Sequence, residues 1–197
     1  GIDRDNNKAF YWLNKSSGQN NKEVDYVLGK CYENGYGTEV DNKKAMEYYR
    51  KAAGKGHVNA QYLLGDFYYQ GKGVEKDYSQ AVVWYSRAAD KGDMNAMYNL
   101  GECYYKGNGV KKNEKMAMDC FLKAANGGNS QAEYEIGHFY YNGEGVKKDR
   151  KEAVNWFTKS AERGNYEGQY NLGLCYFEGQ GVEQDNKQAV SWWEKAA

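Results

Sequence analysis

The stretch AQYLLGDFYYQGKGVEKDYSQAVVWYSRAADKG, residues 60–92, decides the fold. Ala60, Leu64, Phe67, Tyr68 and Gly71 fall at i, i+4, i+7, i+8 and i+11, one face of an amphipathic helix. Gly71-Lys72-Gly73 ends that helix, because a residue without a Cβ accepts the left-handed conformation that closes it. Val74 is placed to fold back over the last turn. A second helix opens at Asp77, whose carboxylate can cap free N–H groups, with Gln80 as its capping-box partner three residues on. Ala81, Trp84, Tyr85, Ala88 and Ala89 form its apolar stripe, and it stops near Gly92. These two helices are A and B.

The pattern returns at intervals of 36 residues. Leu28-Gly29, Leu64-Gly65, Leu100-Gly101, Ile136-Gly137 and Leu172-Gly173 keep one register, as do the Gly-x-Gly pairs at 35/37, 71/73, 107/109, 143/145 and 179/181. Asp149/Glu152 and Asp185/Gln188 repeat the capping box, and Asn20, Gly56, Gly128 and Gly164 stand where helix B should stop. Gly1 falls on the second glycine of a pair, Asp5 on Asp41 and Ala9 on Ala45, so the chain opens within a repeat. The expected organisation is one repeat domain over 1–197. A half repeat, 1–20, holds only a B helix, and five repeats follow over 21–56, 57–92, 93–128, 129–164 and 165–197. Eleven helices result, and because one helix pair cannot cover its own apolar faces, stability comes from stacking neighbours.

Composition narrows the class. Lys plus Arg (27) equals Asp plus Glu (27), so no long-range field gathers nucleic acid or an anionic membrane. No run approaches the roughly 18 apolar residues of a bilayer span, and Gly1-Ile2-Asp3-Arg4-Asp5 lacks the apolar core of a signal peptide, so membrane insertion is not expected. Leu, Ile, Val and Phe are scarce, whereas 20 Tyr and 5 Trp supply large buried areas. The core should be aromatic.

The pattern Ala-x-x-x-Leu-Gly-x-x-Tyr-x-x-Gly-x-Gly-Val-x-x-Asp-x-x-x-Ala-x-x-Trp-Tyr-x-x-Ala-Ala-x-x-Gly, from Ala60 to Gly92, resembles the Sel1-like repeat, a relative of the tetratricopeptide repeat with a longer A-to-B loop. Departures are mild: Thr38 for the loop Val, Cys120 for the helix B Trp, Asn113 for the capping Asp and Gly168 for the helix A Ala. The resemblance implies an all-α, right-handed α-α superhelix of antiparallel helix pairs with helix A on its concave side. It also implies a non-catalytic adaptor for other proteins or peptides, with no cofactor.

Stepping 100° per residue from the buried set of helix A leaves Tyr62, Asp66 and Tyr69 on the opposite face, with Asn59 and Gln70 at its margin. This face should be polar but is not. One row reads Tyr26, Tyr62, Tyr98, Tyr134 and Tyr170; another reads Glu33, Tyr69, Tyr105, Tyr141 and Phe177. Between them run Lys30, Asp66, Glu102, His138 and Leu174. Tyrosine offers large contact area with few rotors to freeze, so the rows are expected to floor a partner-binding groove. Packing of the first row as spacers between repeats is the competing reading. Self-association through uncovered ends of the array is a second possible use of the chain. The acidic Asp66 and Glu102 disfavour an RNA reader.

Gly71-x-Gly73 lacks the preceding strand and third glycine of a phosphate loop. His57 and His138 have no metal-binding neighbours at ligand spacing, so no metal site is expected, and no acid–base pair or activated nucleophile marks an enzyme. Cys31, Cys103 and Cys175 occupy the core slot of Phe67 and Phe139; only Cys103 and Cys120 can meet. Buried free thiols fit a reducing, cytoplasmic compartment.

Overall fold

The computed structural model describes residues 2–17 and 21–197, with side chains from Asp5 onward. Among these residues there are eleven α-helices and no strand: α1 (Ile2–Ser16), α2 (Lys22–Asn34), α3 (Asn42–Gly54), α4 (Val58–Gln70), α5 (Tyr78–Ala89), α6 (Met94–Lys106), α7 (Glu114–Asn126), α8 (Ser130–Asn142), α9 (Arg150–Glu162), α10 (Tyr166–Glu178) and α11 (Asn186–Ala196). Even-numbered helices are A and odd-numbered ones B. The chain divides into two compact units, Gly1–Ala96 with Asn108–Val110, and Met97–Gly107 with Lys111–Ala197. Within each unit A packs on its own B, as α2 on α3 and α8 on α9, and B packs on the next A, as α3 on α4 and α9 on α10.

Helix A closes on a left-handed glycine, Gly71 at φ 74°, whose N–H bonds the Phe67 carbonyl. The second glycine of each pair has a different task. A Cβ on Gly73 would meet the backbone of Asn42, and one on Gly181 the Arg150 carbonyl, so this glycine lets the loop rest on the first turn of the preceding B helix. Val74 and Val146 lie partly buried on the cores, as the sequence predicts.

Asp77, Asp149 and Asp185 cap their helices through the side chain. The capping box is only half made. The N–H of Asp77 bonds the carbonyl of Tyr68 at 3.0 Å rather than the Gln80 side chain, and Asp149 and Asp185 bond Tyr140 and Tyr176 in the same way. This bond ties the loop to the helix before it. α1 runs back to Ile2, so Asp5, which aligns with the capping Asp41, lies inside the helix. Asn20 and Gly1 lie outside the described residues.

The Leu-Gly dipeptide is the main packing device. A Cβ on Gly29 would stand 2.5 Å from the Tyr49 ring, and one on Gly137 would stand 2.5 Å from the Phe157 ring. Gly65, Gly101 and Gly173 meet Tyr85, Phe121 and Trp193 likewise. The helix B aromatic therefore lies flat over helix A where a side chain is missing. Tyr49, Tyr85, Phe121 and Phe157 are all essentially inaccessible to solvent, each removing roughly 150–250 Å² from water. Trp84, expected within the stripe, is only partly buried at its edge. Gly168 is explained by its neighbour: Ser160 stands where the other full repeats have Ala, and a Cβ on Gly168 would clash with its Oγ, which donates to the Ser130 carbonyl.

Candidate functional site: the tyrosine-bearing face of the A helices

The first tyrosine row is neither sealed nor free. Tyr26, Tyr62, Tyr98 and Tyr134 are half-buried, whereas Tyr170 is 53% exposed. Each ring leans on the helix B aromatic of its own repeat, with centroids 5.7–6.4 Å apart across the five pairs. Tyr26 also stacks on His57 at 4.2 Å. One side of each ring thus covers the core aromatic, and the remainder meets solvent.

The second row is tied more firmly. Tyr69 accepts a hydrogen bond from Asn108 at 3.0 Å and packs edge-on to Tyr78. The Tyr105 hydroxyl is bonded to Glu144, which pushes it up to about 12. Arg150 lies 3.6 Å above the Tyr141 ring. These side chains hold loops as well as presenting surface. Phe177, at the corresponding place in the last repeat, is 48% exposed.

The polar side chains of the row between, together with Glu33 of the second row, divide by unit. In the first unit, Tyr85 donates to Asp66 at 2.7 Å and the Tyr62 hydroxyl also bonds that carboxylate; burial raises the Asp66 carboxyl above its usual range. Tyr49 donates to Glu33 at 2.5 Å, and Lys72 donates to the same carboxylate at 2.7 Å. In the second unit, Phe121 and Phe157 replace the tyrosines and offer no hydroxyl. Glu102 there pairs with Lys106, and His138 meets Asn142.

Two acids missed by the helical-wheel reading join this face. Glu135 occupies the position of Val27 and Leu63 in other repeats, next to the tyrosine row. Burial pushes its carboxyl up to about 7; the charges of Glu102 and Glu167 act in the same direction, and Gln131 and Lys106 against it. Glu167 stands at the position of Asn59, assigned above only to the margin. The other repeats carry Val27, Leu63, Asn99 and Asn171 there, so a lone acid at this position was the available signal. The Tyr98 hydroxyl is raised by burial and by the charges of Glu102, Glu135 and Glu167.

The sulfur and imidazole groups serve the fold. Cys31, Cys103, Cys120 and Cys175 are free and buried, so Cys103 and Cys120 are unlinked. Burial pushes Cys103 up to about 12 and Cys120 and Cys175 up to about 11, which keeps these thiols protonated and poor nucleophiles at neutral pH. His57 caps α4 through Nδ1 and contacts Glu23 at 3.1 Å through Nε2. No described helix is long and apolar enough to cross a membrane.

Helix pairs stacked through glycine gaps, with a shared aromatic face on the A helices, define an α-solenoid of the tetratricopeptide-related class. The Sel1 repeat model matches residues 1–21, 24–57, 58–93, 95–129, 130–165 and 167–197, and the chain belongs to the Sel1 repeat family. Among solved structures, the chain is similar to c5321, described as a protective antigen of uropathogenic Escherichia coli with an SLR fold. The TM-score is 0.92 at 34% identity, covering 95% of this chain and 40% of that one. It is also similar to a Sel1 repeat protein from Oxalobacter formigenes, with TM-score 0.89 and 34% identity over 96% of this chain and 78% of that one. Helicobacter pylori cysteine rich protein B matches with TM-score 0.53 and 32% identity over 67% of this chain and 95% of that one. The chain thus spans two-fifths of the length of the Escherichia coli protein. No curated protein sequence matches it. Sel1 repeat proteins in general are non-enzymatic scaffolds that mediate protein–protein interactions.

Proposed function

We propose that this chain is a non-catalytic adaptor that holds a peptide or protein segment against the tyrosine-bearing face of its A helices. Each unit offers its own face: Tyr26, Tyr62, Asp66 and Tyr69 in the first, and Tyr98, Glu102, Tyr105, Tyr134, His138, Tyr141, Tyr170 and Phe177 in the second. The observation that carries this reading is the half-burial of the first tyrosine row. Rings fixed on one side by a core aromatic lose little further freedom when a partner covers the other, which favours binding.

The test is a selection of binding peptides from a random library, followed by mapping on the wild type and on Tyr98→Ala with Tyr134→Ala. The expected result is loss of binding by at least tenfold, the size of an aromatic hot spot, with thermal unfolding still cooperative. Binders indifferent to both substitutions count against the face. A second reading, self-association, is favoured by exposed aromatics away from it, Tyr11 at 52% and Trp12 at 64% on α1. Light scattering across a concentration series decides it, and a mass that stays at one chain removes it.

A further inference from the structure

The partner's chemistry can be taken one step further from the charges on the second unit, and this step rests on the face proposed above. We propose that the A-helix face of the second unit recognises a protein segment bearing lysine or arginine, its cationic head lodged among Tyr98, Tyr134, Glu135 and Glu167.

Charge complementarity selects this occupant. Three carboxylates, Glu102, Glu135 and Glu167, come from three successive A helices, α6, α8 and α10, and the charge of each raises the Tyr98 hydroxyl. The nearby ammonium is Lys106, which Glu102 already holds as a neighbour one turn away. Among the described residues, neither Glu135 nor Glu167 has a cation within ion-pair distance. Gln131, on the same helix, gives Glu135 a neutral hydrogen bond, and Lys106 is the one cation acting on it, against the like charges of Glu102 and Glu167. The face is therefore short of positive charge where it is half-buried and where Coulomb attraction is least screened by water.

The tyrosines supply the other half of a cation site. Tyr98 and Tyr134 occupy equivalent positions on α6 and α8, each backed by a phenylalanine at 5.7 and 6.0 Å, Phe121 and Phe157. A ring packed on its inner side and open on its outer side is oriented to receive a lysine or guanidinium over its face. The apolar neighbours of that residue in the partner would lie over Tyr105 and Tyr141. The first unit lacks this chemistry, because the hydroxyls of Tyr49 and Tyr85 and the ammonium of Lys72 already satisfy Glu33 and Asp66.

Random peptides about a dozen residues long, displayed and selected on the whole chain near pH 8 at low salt, are the probe. Selected sequences are expected to be richer in Lys and Arg than the starting library. Their synthetic copies should weaken by about tenfold on Glu135→Gln with Glu167→Gln, the size expected of close charge pairs. Glu183→Gln, on the exposed loop, should leave them unchanged. Binding should also weaken several-fold as the pH falls below about 7 and Glu135 takes up its proton. The charged groups facing it are Glu102 and Lys106 on α6 and Glu167 on α10, and the nearest imidazole in sequence on its own helix is that of His138. The pH effect should persist in His138→Asn and vanish in Glu135→Gln. Peptides that require Tyr98 and Tyr134 but carry no excess of basic residues, or that tolerate the double glutamine variant, overturn the cationic assignment and leave the tyrosine face standing. Peptides indifferent to Tyr98→Ala and Tyr134→Ala, or no selected peptide at all, overturn both.

Discussion

The two units build the same face from the same repeat and use its acids differently. In the first unit the ring that crosses the glycine gap is a tyrosine, Tyr49 or Tyr85, and its hydroxyl emerges beside Glu33 or Asp66 and bonds it. In the second unit two of the crossing rings, Phe121 and Phe157, fill the same gap and end without a donor, and the third, Trp193, donates to the Tyr170 carbonyl of the backbone. One oxygen atom thus separates Asp66, held by the ring hydroxyl of its own repeat, from Glu102 at the equivalent place, which has no such hydroxyl beside it and pairs with Lys106 instead. A repeat family can change what its surface attracts by altering a residue that is itself wholly buried.

The largest effect should come from closing the gap that both units share. Gly65→Ala and Gly137→Ala each drive a methyl into a buried ring, Tyr85 or Phe157, and overpacking of this kind should cost about 3 kcal/mol in either unit. Urea unfolding measures it. Equal losses support a common device; a tolerated Gly137→Ala would mean that the phenylalanine ring has room to retreat and that the two units are not built alike.

A smaller effect concerns Glu135 and the pH. Its carboxyl titrates near 7 in the folded chain against about 4.5 when exposed, so the folded state holds the proton more tightly. The sign follows from linkage. Stability contributed by the protonated form is fully present below about 4.5, declines as pH rises to about 7, and is gone above it. Glu135→Gln should therefore remove this decline and leave the variant more stable than the wild type near pH 8, by roughly 2 kcal/mol. Urea midpoints at a series of pH values check this. Glu102, Glu167, Lys106 and Gln131 all face the group, so the same series on Glu102→Gln should show a shallower decline rather than none. Parallel curves for wild type and Glu135→Gln would remove the basis for treating the second unit's face as short of positive charge.

The helix pairs, their glycine stops and the aspartate caps were legible in the sequence because each depends on local chemistry repeated at a fixed interval. Leu-Gly was legible as a dipeptide held in register, but the 36-residue pattern could not show that a ring crosses at its glycine, since Tyr49, Phe121 and Trp193 look like ordinary core residues. The tyrosine rows were legible by helical wheel, and their half-burial was not, because it depends on the helix B ring beneath. Glu135 and Glu167 were missed for a related reason. They sit beside the rows, where a single helix shows a margin, and only the neighbouring A helices turn that margin into part of the face. The half-made capping boxes carry the same lesson: Gln80 is the right residue at the right spacing, yet the Tyr68 carbonyl takes the bond because the loop brings it closer.

The finest test exchanges the single oxygen atom. Tyr85→Phe removes the donor to Asp66 and leaves the ring in place, so the loss should be about 1 kcal/mol, that of a hydrogen bond to a carboxylate that keeps the Tyr62 hydroxyl. The reverse exchange, Phe121→Tyr, puts a hydroxyl at the equivalent place in the second unit, where Glu102 stands in the position of Asp66. If the repeats are equivalent, that hydroxyl finds its acceptor, and stability changes by less than about 0.5 kcal/mol. A buried hydroxyl with no acceptor would instead cost about 2 kcal/mol. Thermal melts of both variants distinguish these outcomes. The two substitutions should also move binding in opposite directions: Tyr85→Phe leaves Asp66 with more outward charge, and the first unit should begin to retain lysine-bearing peptides. Phe121→Tyr draws Glu102 inward, and the second unit should retain them less well. A buried exchange that altered stability but left peptide retention unchanged in both units would separate the acids from recognition and confine them to the fold.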